Sequence, residues 1–150
     1  MSQKSLIILA AGGSFALLAG AFIFQLLGYA PCEMCLWQRW PHAAAVVIGA
    51  IALALPGYRR PLAVLGALAA ATTAVIGLWH TGVERGVLPG PSSCSGGASL
   101  DSVDLLSTDI EPIVMCSDVV WSLFGLSMAS YNALFSLVFV ALWIAAARKV

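Results

Sequence analysis

The chain is short of charge. Of its 150 residues only 9% are Asp, Glu, Lys or Arg, seven of each sign, whereas 61% are apolar. A typical soluble domain has about a quarter charged and about half apolar residues. So sparse a polar complement excludes a water-soluble fold, which could not cover that much apolar surface. Internal repeats and low-complexity tracts are also missing. Cysteines are few, four in all, and none falls in the middle of an apolar run. Net charge is zero and carries no information by itself.

What the chain does have is long apolar runs: Leu6 to Gly28, Trp40 to Pro56, Leu62 to Trp79 and Leu123 to Ala147. A spanning helix needs roughly 20 mostly apolar residues. Backbone polar groups must be satisfied inside lipid, and unbroken runs favour helices over barrel strands, which would alternate apolar and polar residues. The expected fold is therefore all-α, a single four-transmembrane-helix domain over residues 1–150. Its helices are predicted at about 6–28, 35–56, 62–80 and 123–147, joined outside by loops at about 29–34 and 81–122. The first run exceeds the usual 7 to 15 residue signal-peptide core, so it is expected to be a retained helix.

The charges segregate by side. Lys4, Arg59, Arg60, Arg148 and Lys149 fall at the N-terminus, the second connection and the C-terminus, and the positive-inside rule makes that side, with both termini, cytoplasmic. All seven acidic residues lie on the opposite side. Rows of small residues, Gly12, Ala16 and Gly20 in the first helix and Gly66, Ala70 and Ala74 in the third, are expected to let helices pack closely. In the long third connection, Leu100, Val103, Leu106, Ile110, Ile113 and Val114 recur at near-helical spacing, which predicts a short amphipathic surface helix.

The cysteines lie in the two outer connections, Cys32-Glu33-Met34-Cys35 in the first and Cys94 and Cys116 in the second. Buried cysteines often serve as small apolar side chains, but that role would scatter them into the spans. Structural disulfides in an oxidising compartment are a second reading, and four cysteines allow three pairings. The two-residue gap of CxxC, however, suits thiol–disulfide exchange, and a helix N-terminus beside it stabilises a thiolate.

The second helix supplies that N-terminus. Its wholly apolar part, Ala43 to Leu55, is too short to span, so the helix is predicted to begin near Cys35. Cys35, Gln38, Arg39 and His42 then share one face. A charge at membrane depth reads as functional, against the alternative of an arginine snorkelling to the interface. Here the Arg39 guanidinium can stabilise the Cys35 thiolate and donate to a ligand carbonyl. Trp37 and Trp40 fit an interfacial belt. His80, ending the third helix beside Trp79, is placed to complete a polar pocket opposite Arg39, although a lone interfacial histidine, His42 included, is often simply solvated.

The stretch Cys32-Glu33-Met34-Cys35-Leu36-Trp37-Gln38-Arg39 resembles the CxxCxxxR segment of the DsbB (disulfide bond formation protein B) family. The order of features agrees over nearly the whole chain: CxxC in the first outer loop, two separated cysteines in the second, His80 at the end of helix 3, and Trp121-Ser122-Leu123-Phe124-Gly125-Leu126 after the last cysteine. The resemblance implies a quinone-dependent thiol oxidoreductase of the bacterial inner membrane with its cysteines facing the periplasm. It implies a relay in which a reduced DsbA-like thioredoxin-fold partner attacks a Cys94–Cys116 disulfide at Cys94. Cys116 is then captured by Cys32, and Cys35 passes electrons to ubiquinone or menaquinone held by Arg39 and His80. The catalytic residues so implied are Cys32, Cys35, Cys94 and Cys116; no metal and no nucleic acid are expected.

Three other readings compete. A vitamin K epoxide reductase type of enzyme would place the loop pair before the CxxC, the reverse of the order here. A tetraspan structural protein stapled by disulfides leaves Arg39 without a purpose. A zinc site of four thiolates is compositionally possible, but the spacing of Cys94 and Cys116 is not that of a second knuckle.

Overall fold

The computed structural model describes residues 1–94 and 114–149. Four long helices dominate them: α1 (Gln3–Leu26), α2 (Glu33–Ala54), α3 (Arg59–Glu84) and α4 (Met128–Arg148). Three N-termini are closed by a side chain that accepts a backbone N–H from three residues on, those of Ser2, Cys32 and Ser127. Each helix packs mainly on its neighbours in a closed ring, α1 on α2, α2 on α3, α3 on α4 and α4 back on α1, with little contact between α1 and α3.

Among the described residues, three segments are long and apolar enough to cross a membrane: Gln3–Leu26, Pro56–Glu84 and Met128–Arg148. The helix α2 is not among them, because its first turns carry Glu33, Gln38, Arg39 and His42 ahead of the apolar stretch.

Several boundaries differ from the hydropathy runs. The third helix begins at Arg59, after a 3₁₀ turn over Pro56–Tyr58, and continues a full turn past His80 to Glu84. Pro61 is tolerated there because first-turn N–H groups have no intrahelical acceptor. The fourth helix begins at Met128, five residues later than its apolar run. The residues before it form a small antiparallel hairpin, β1 (Ser122–Leu123) and β2 (Leu126–Ser127). Its two-residue loop, Phe124-Gly125, has φ of 49° and 75°, the double positive φ of a type I′ turn. The amphipathic surface helix expected over residues 100–114 lies, apart from Val114, outside the described residues.

The half of the ring that holds the two chain termini packs around Trp143, which is fully buried with Ile7, Ala10, Ala52, Ala63, Ala70 and Ala146. The small row of α3 is what admits the indole: a Cβ on Gly66 would stand 2.6 Å from the Trp143 ring. The matching row of α1 behaves differently. A Cβ on Gly12 or Gly20 would meet nothing within 4 Å, and Ala16 and Gly20 instead border a cavity. Small residues there leave space rather than allow contact.

Candidate functional site

The cavity measures about 420 Å³ and lies between α1, α2 and α4 at the end of the bundle opposite Trp143. Its walls are mostly apolar: Ala16, Leu17, Gly20 and Phe24 from α1, Pro31 from the first connection, Trp121 and Leu123 beside the hairpin, and Phe135 from α4. The polar side chains on it are few: Tyr29, Cys35, Gln38, Arg39, His42, His80, Tyr131 and Asn132. The four residues grouped on one face of α2 by helical spacing thus all reach one cavity, and His80 meets them from α3.

Aromatic rings frame one side. Phe24 packs edge-on against Trp121 at 5.4 Å, Trp121 lies 6.1 Å from Tyr131, and the Tyr131 hydroxyl donates to the Leu123 carbonyl at 2.9 Å. The hairpin is thereby fastened beside the cavity. Trp40 is exposed, as a belt residue would be, whereas Trp37 is partly covered by Trp79.

Arg39 is held by donating from Nη1 to Gln25 Oε1 at 2.7 Å and from Nη2 to the Ala21 carbonyl at 3.5 Å, with its guanidinium 4.8 Å from the Phe22 ring centroid. Its Nε is buried and has no partner. A buried donor left without an acceptor costs about 1–3 kcal/mol, so this N–H is available to an acceptor entering the cavity.

The paired cysteines close the N-terminus of α2. Cys32 is the N-cap: its sulfur accepts the Cys35 N–H at 3.3 Å, and its thiol donates to Cys35 Sγ at 2.8 Å. That hydrogen bond, with burial added, pushes the Cys32 thiol pKa well above its ordinary value. Cys32 is therefore the proton-holding member of the pair, and Cys35, half-exposed to the cavity, is the acceptor.

The second pair is disulfide-bonded, Cys94 to Cys116. Both cysteines are buried, packed with Cys32, Met34 and Val83. Cys94 ends a short 3₁₀ turn, Ser92–Cys94, docked against this cluster. The Cys32 sulfur, the Cys116 sulfur and a ring nitrogen of His80 all lie within 4.8 Å of one another. The two pairs, 59 residues apart at their nearest in sequence (Cys35 to Cys94), thus come together at one point.

Three such ligand atoms suggest a metal, but the donor set argues otherwise. A metal-binding histidine donates its second N–H to an acceptor. Here Gln38 Nε2 faces His80 Nδ1 at 3.0 Å and the Met34 carbonyl at 3.0 Å. The carbonyl can only accept, so the amide NH₂ points this way, Nδ1 accepts, and the ring proton sits on Nε2, where a metal would bind.

The polar contacts continue across the bundle. Asn132 Nδ2 donates to Gln38 Oε1 and to Thr73 Oγ1, and Asn132 Oδ1 accepts from His42 Nε2 at 2.7 Å. At the end of α3, Glu84 accepts from Ser127 Oγ and lies 4.0 Å from His80 Nε2. Neither Thr73, Asn132, Glu84 nor Ser127 was assigned a role from the sequence. A signal existed for Asn132 and Thr73, polar residues inside otherwise apolar runs; Glu84 was hidden by the early end given to helix 3.

A helical ring with one cysteine pair capping a helix, a second pair joined as a disulfide beside it, and an apolar cavity reaching one thiol defines a membrane thiol–disulfide exchange protein. Comparison with known proteins gives the particular family. The family model described as Disulfide bond formation protein DsbB matches residues 3–146, and the chain belongs to that family, whose members are disulfide-forming oxidoreductases of the bacterial inner membrane. Disulfide bond formation protein B of Shewanella sp. (strain MR-4) is 34% identical over 87% of this chain and 78% of its own length. Disulfide bond formation protein B 2 of Pseudomonas aeruginosa is 31% identical over 82% of this chain and 77% of its own length. An uncharacterized protein of Rickettsia prowazekii is 25% identical over 83% and 76%. No solved structure matches the chain.

Proposed function

We propose that the protein reoxidises a DsbA-like thioredoxin-fold protein in the periplasm and passes the electrons to a membrane quinone. The observation that carries this reading is the meeting of Cys32 and Cys116 within 4.8 Å. In the relay, a partner thiolate attacks Cys94, breaking the Cys94–Cys116 bond and forming a mixed disulfide. The partner's second thiol resolves it, leaving Cys94 and Cys116 reduced. The Cys116 thiolate then attacks Cys32 of an oxidised Cys32–Cys35 pair, and Cys35 leaves as a thiolate at the cavity wall; the Cys94 thiolate attacks Cys116 in turn, re-forming the Cys94–Cys116 disulfide and releasing Cys32, so that the Cys32–Cys35 pair is left as the dithiol. Because Cys94 is buried, docking of the partner must first uncover it.

A ubiquinone or menaquinone is the ligand class the cavity fits, since a mostly apolar volume with a few convergent polar groups suits such a molecule. Arg39, through its unpartnered Nε, is the donor to it in this reading, and His80 forms part of the wall it lies against. When bound, quinone supplies the two-electron acceptor for the Cys32–Cys35 dithiol. The chain's own part is to hold Cys35 at the wall and to keep the proton of the pair on Cys32.

The same reading makes α2 the fourth span, with both termini cytoplasmic. Its 22 residues extend about 33 Å at 1.5 Å per residue, enough to cross a hydrocarbon core of about 30 Å. Its polar first turns face the cavity and its neighbours in the ring rather than lipid.

The test is to trap the first step. A Cys116→Ser variant mixed with a DsbA-like protein whose single remaining active-site cysteine carries a thionitrobenzoate mixed disulfide is expected to accumulate a mixed disulfide at Cys94, identified by mass mapping, as the Cys94 thiolate displaces thionitrobenzoate. Absence of any such adduct, with Cys94 shown to be free, would defeat the assignment of Cys94 as the entry point.

A further inference from the structure

The relay requires Cys116 to meet Cys32, and His80 stands between them. Its Nε2 lies 3.5 Å from Cys32 Sγ, and a ring nitrogen of His80 lies within 4.8 Å of Cys116 Sγ. What His80 can do there depends on which ring nitrogen carries the proton. With the proton on Nε2 it donates to the Cys32 sulfur; with the proton on Nδ1 it offers that sulfur a lone pair.

We propose that Gln38 and Asn132 are positioning residues that fix the His80 ring proton on Nε2, so that His80 acts as a donor clamp holding the Cys32 sulfur at exchange distance from Cys116. The inference rests on the relay reading for its function, but on geometry for the tautomer. Every amide in the chain of contacts has its orientation set. The Met34 carbonyl takes one hydrogen of the Gln38 NH₂, the other points at His80 Nδ1, and Gln38 Oε1 is left to accept from Asn132 Nδ2. Asn132 cannot turn over without presenting Oδ1 to Gln38 Oε1. It is fixed further by its second contact to Thr73 Oγ1, a hydroxyl that itself lies 3.5 Å from the Gln38 carbonyl. His42 Nε2 supplies the donor for Asn132 Oδ1. Gln38 is 6% exposed and His80 2%, so water does not compete for these groups. In the exchange step the Cys116–Cys32 bond forms as the Cys32–Cys35 bond breaks. The negative charge moves from Cys116 to Cys35, and no proton crosses His80. A fixed donor suits that step better than a base, because it holds the attacked Cys32 sulfur without taking part in the transfer.

The full-length protein, labelled with ¹⁵N-histidine in detergent, tests the lock directly. Wild type is expected to show His80 with Nδ1 unprotonated and Nε2 protonated; a proton on Nδ1 overturns the proposal. Replacing Gln38→Met removes the donor to Nδ1. It is expected to let both ring tautomers appear and to slow exchange between the two pairs roughly tenfold. Exchange is read in quinone-free protein by adding a small dithiol and mapping alkylated cysteines over time. An unchanged rate alongside mixed tautomers overturns the positioning role. Should Gln38→Met fail to fold, His80→Gln offers an N–H at the Nε2 position and is expected to keep the rate within about threefold, while His80→Ala loses roughly tenfold; equal rates in these two overturn the donor clamp. If wild type passes no electrons between the pairs, the relay itself fails, and the ring-proton position is still read independently from the spectrum.

Discussion

The two ends of the bundle use the same four helices in opposite ways. At one end small residues let an indole fill the centre: Trp143 packs against Gly66 on α3, and Ala11 on α1 presses against Gly49 on α2. At the other end small residues on α1 leave a cavity open, and the helices are joined by amide, imidazole and thiol contacts. Close packing without a cavity stabilises; a cavity with oriented polar groups does chemistry and gives up packing. The contrast teaches that a row of glycine and alanine in a membrane helix signals close approach only where a partner helix lies against it.

The largest effect expected from either end is chemical. Replacing Cys35→Ser should lower quinone-dependent turnover at least about 1,000-fold, because it removes the thiol that meets the cavity. Thermal melting in detergent should hardly move. Full turnover in this variant would remove the functional end of the comparison. At the packed end, Gly66→Ala drives a methyl into the Trp143 ring and should cost about 1–3 kcal/mol of bundle stability, seen as a lower Tm. Thiol exchange below that temperature should be unaltered; a change in exchange rate there would mean the two ends are coupled.

Removing the guanidinium with Arg39→Ala is expected to raise the quinone KM roughly tenfold while mixed-disulfide formation at Cys94 continues. An unaltered KM would take Arg39 off the ligand. The smallest effect concerns pH. The raised Cys32 thiol pKa means that the folded dithiol form keeps a proton that the unfolded chain loses above about pH 8.5. The stabilisation is complete below that value and declines as pH rises, by about 1 kcal/mol between pH 8.5 and 9.5. Melting of the reduced protein across that window, compared with Cys32→Ala, measures it; identical slopes would mean that Cys32 does not hold the proton.

Much of this was legible in the sequence. Hydropathy located α1, α3 and α4, and the 3.6-residue period put Cys35, Gln38, Arg39 and His42 on one face, because both signals are local. Boundaries were less legible where turn chemistry overrode hydropathy. Phe124-Gly125 makes a hairpin from residues that an apolar run assigns to a helix, and α3 carries the polar pair His80 and Glu84 one turn apart past the apolar stretch. Asn132 stood out only as a polar residue in an apolar run, and its partners were not legible, since a single amide there has no partner in sequence terms.

The sequence by itself determined that the chain belongs in a membrane, that its cysteines lie outside the long apolar runs, and that an arginine stands one turn from a CxxC thiol. These follow from composition and from the fixed period of a helix. Only the tertiary structure decided which groups meet. The closed ring brings α3 against the N-terminus of α2 and sets His80 beside Cys32. It docks Cys116 on the same point and lets Asn132 of α4 orient Gln38 of α2. Those contacts join residues dozens of positions apart, and they depend on how closely the helix backbones approach, which no local pattern encodes.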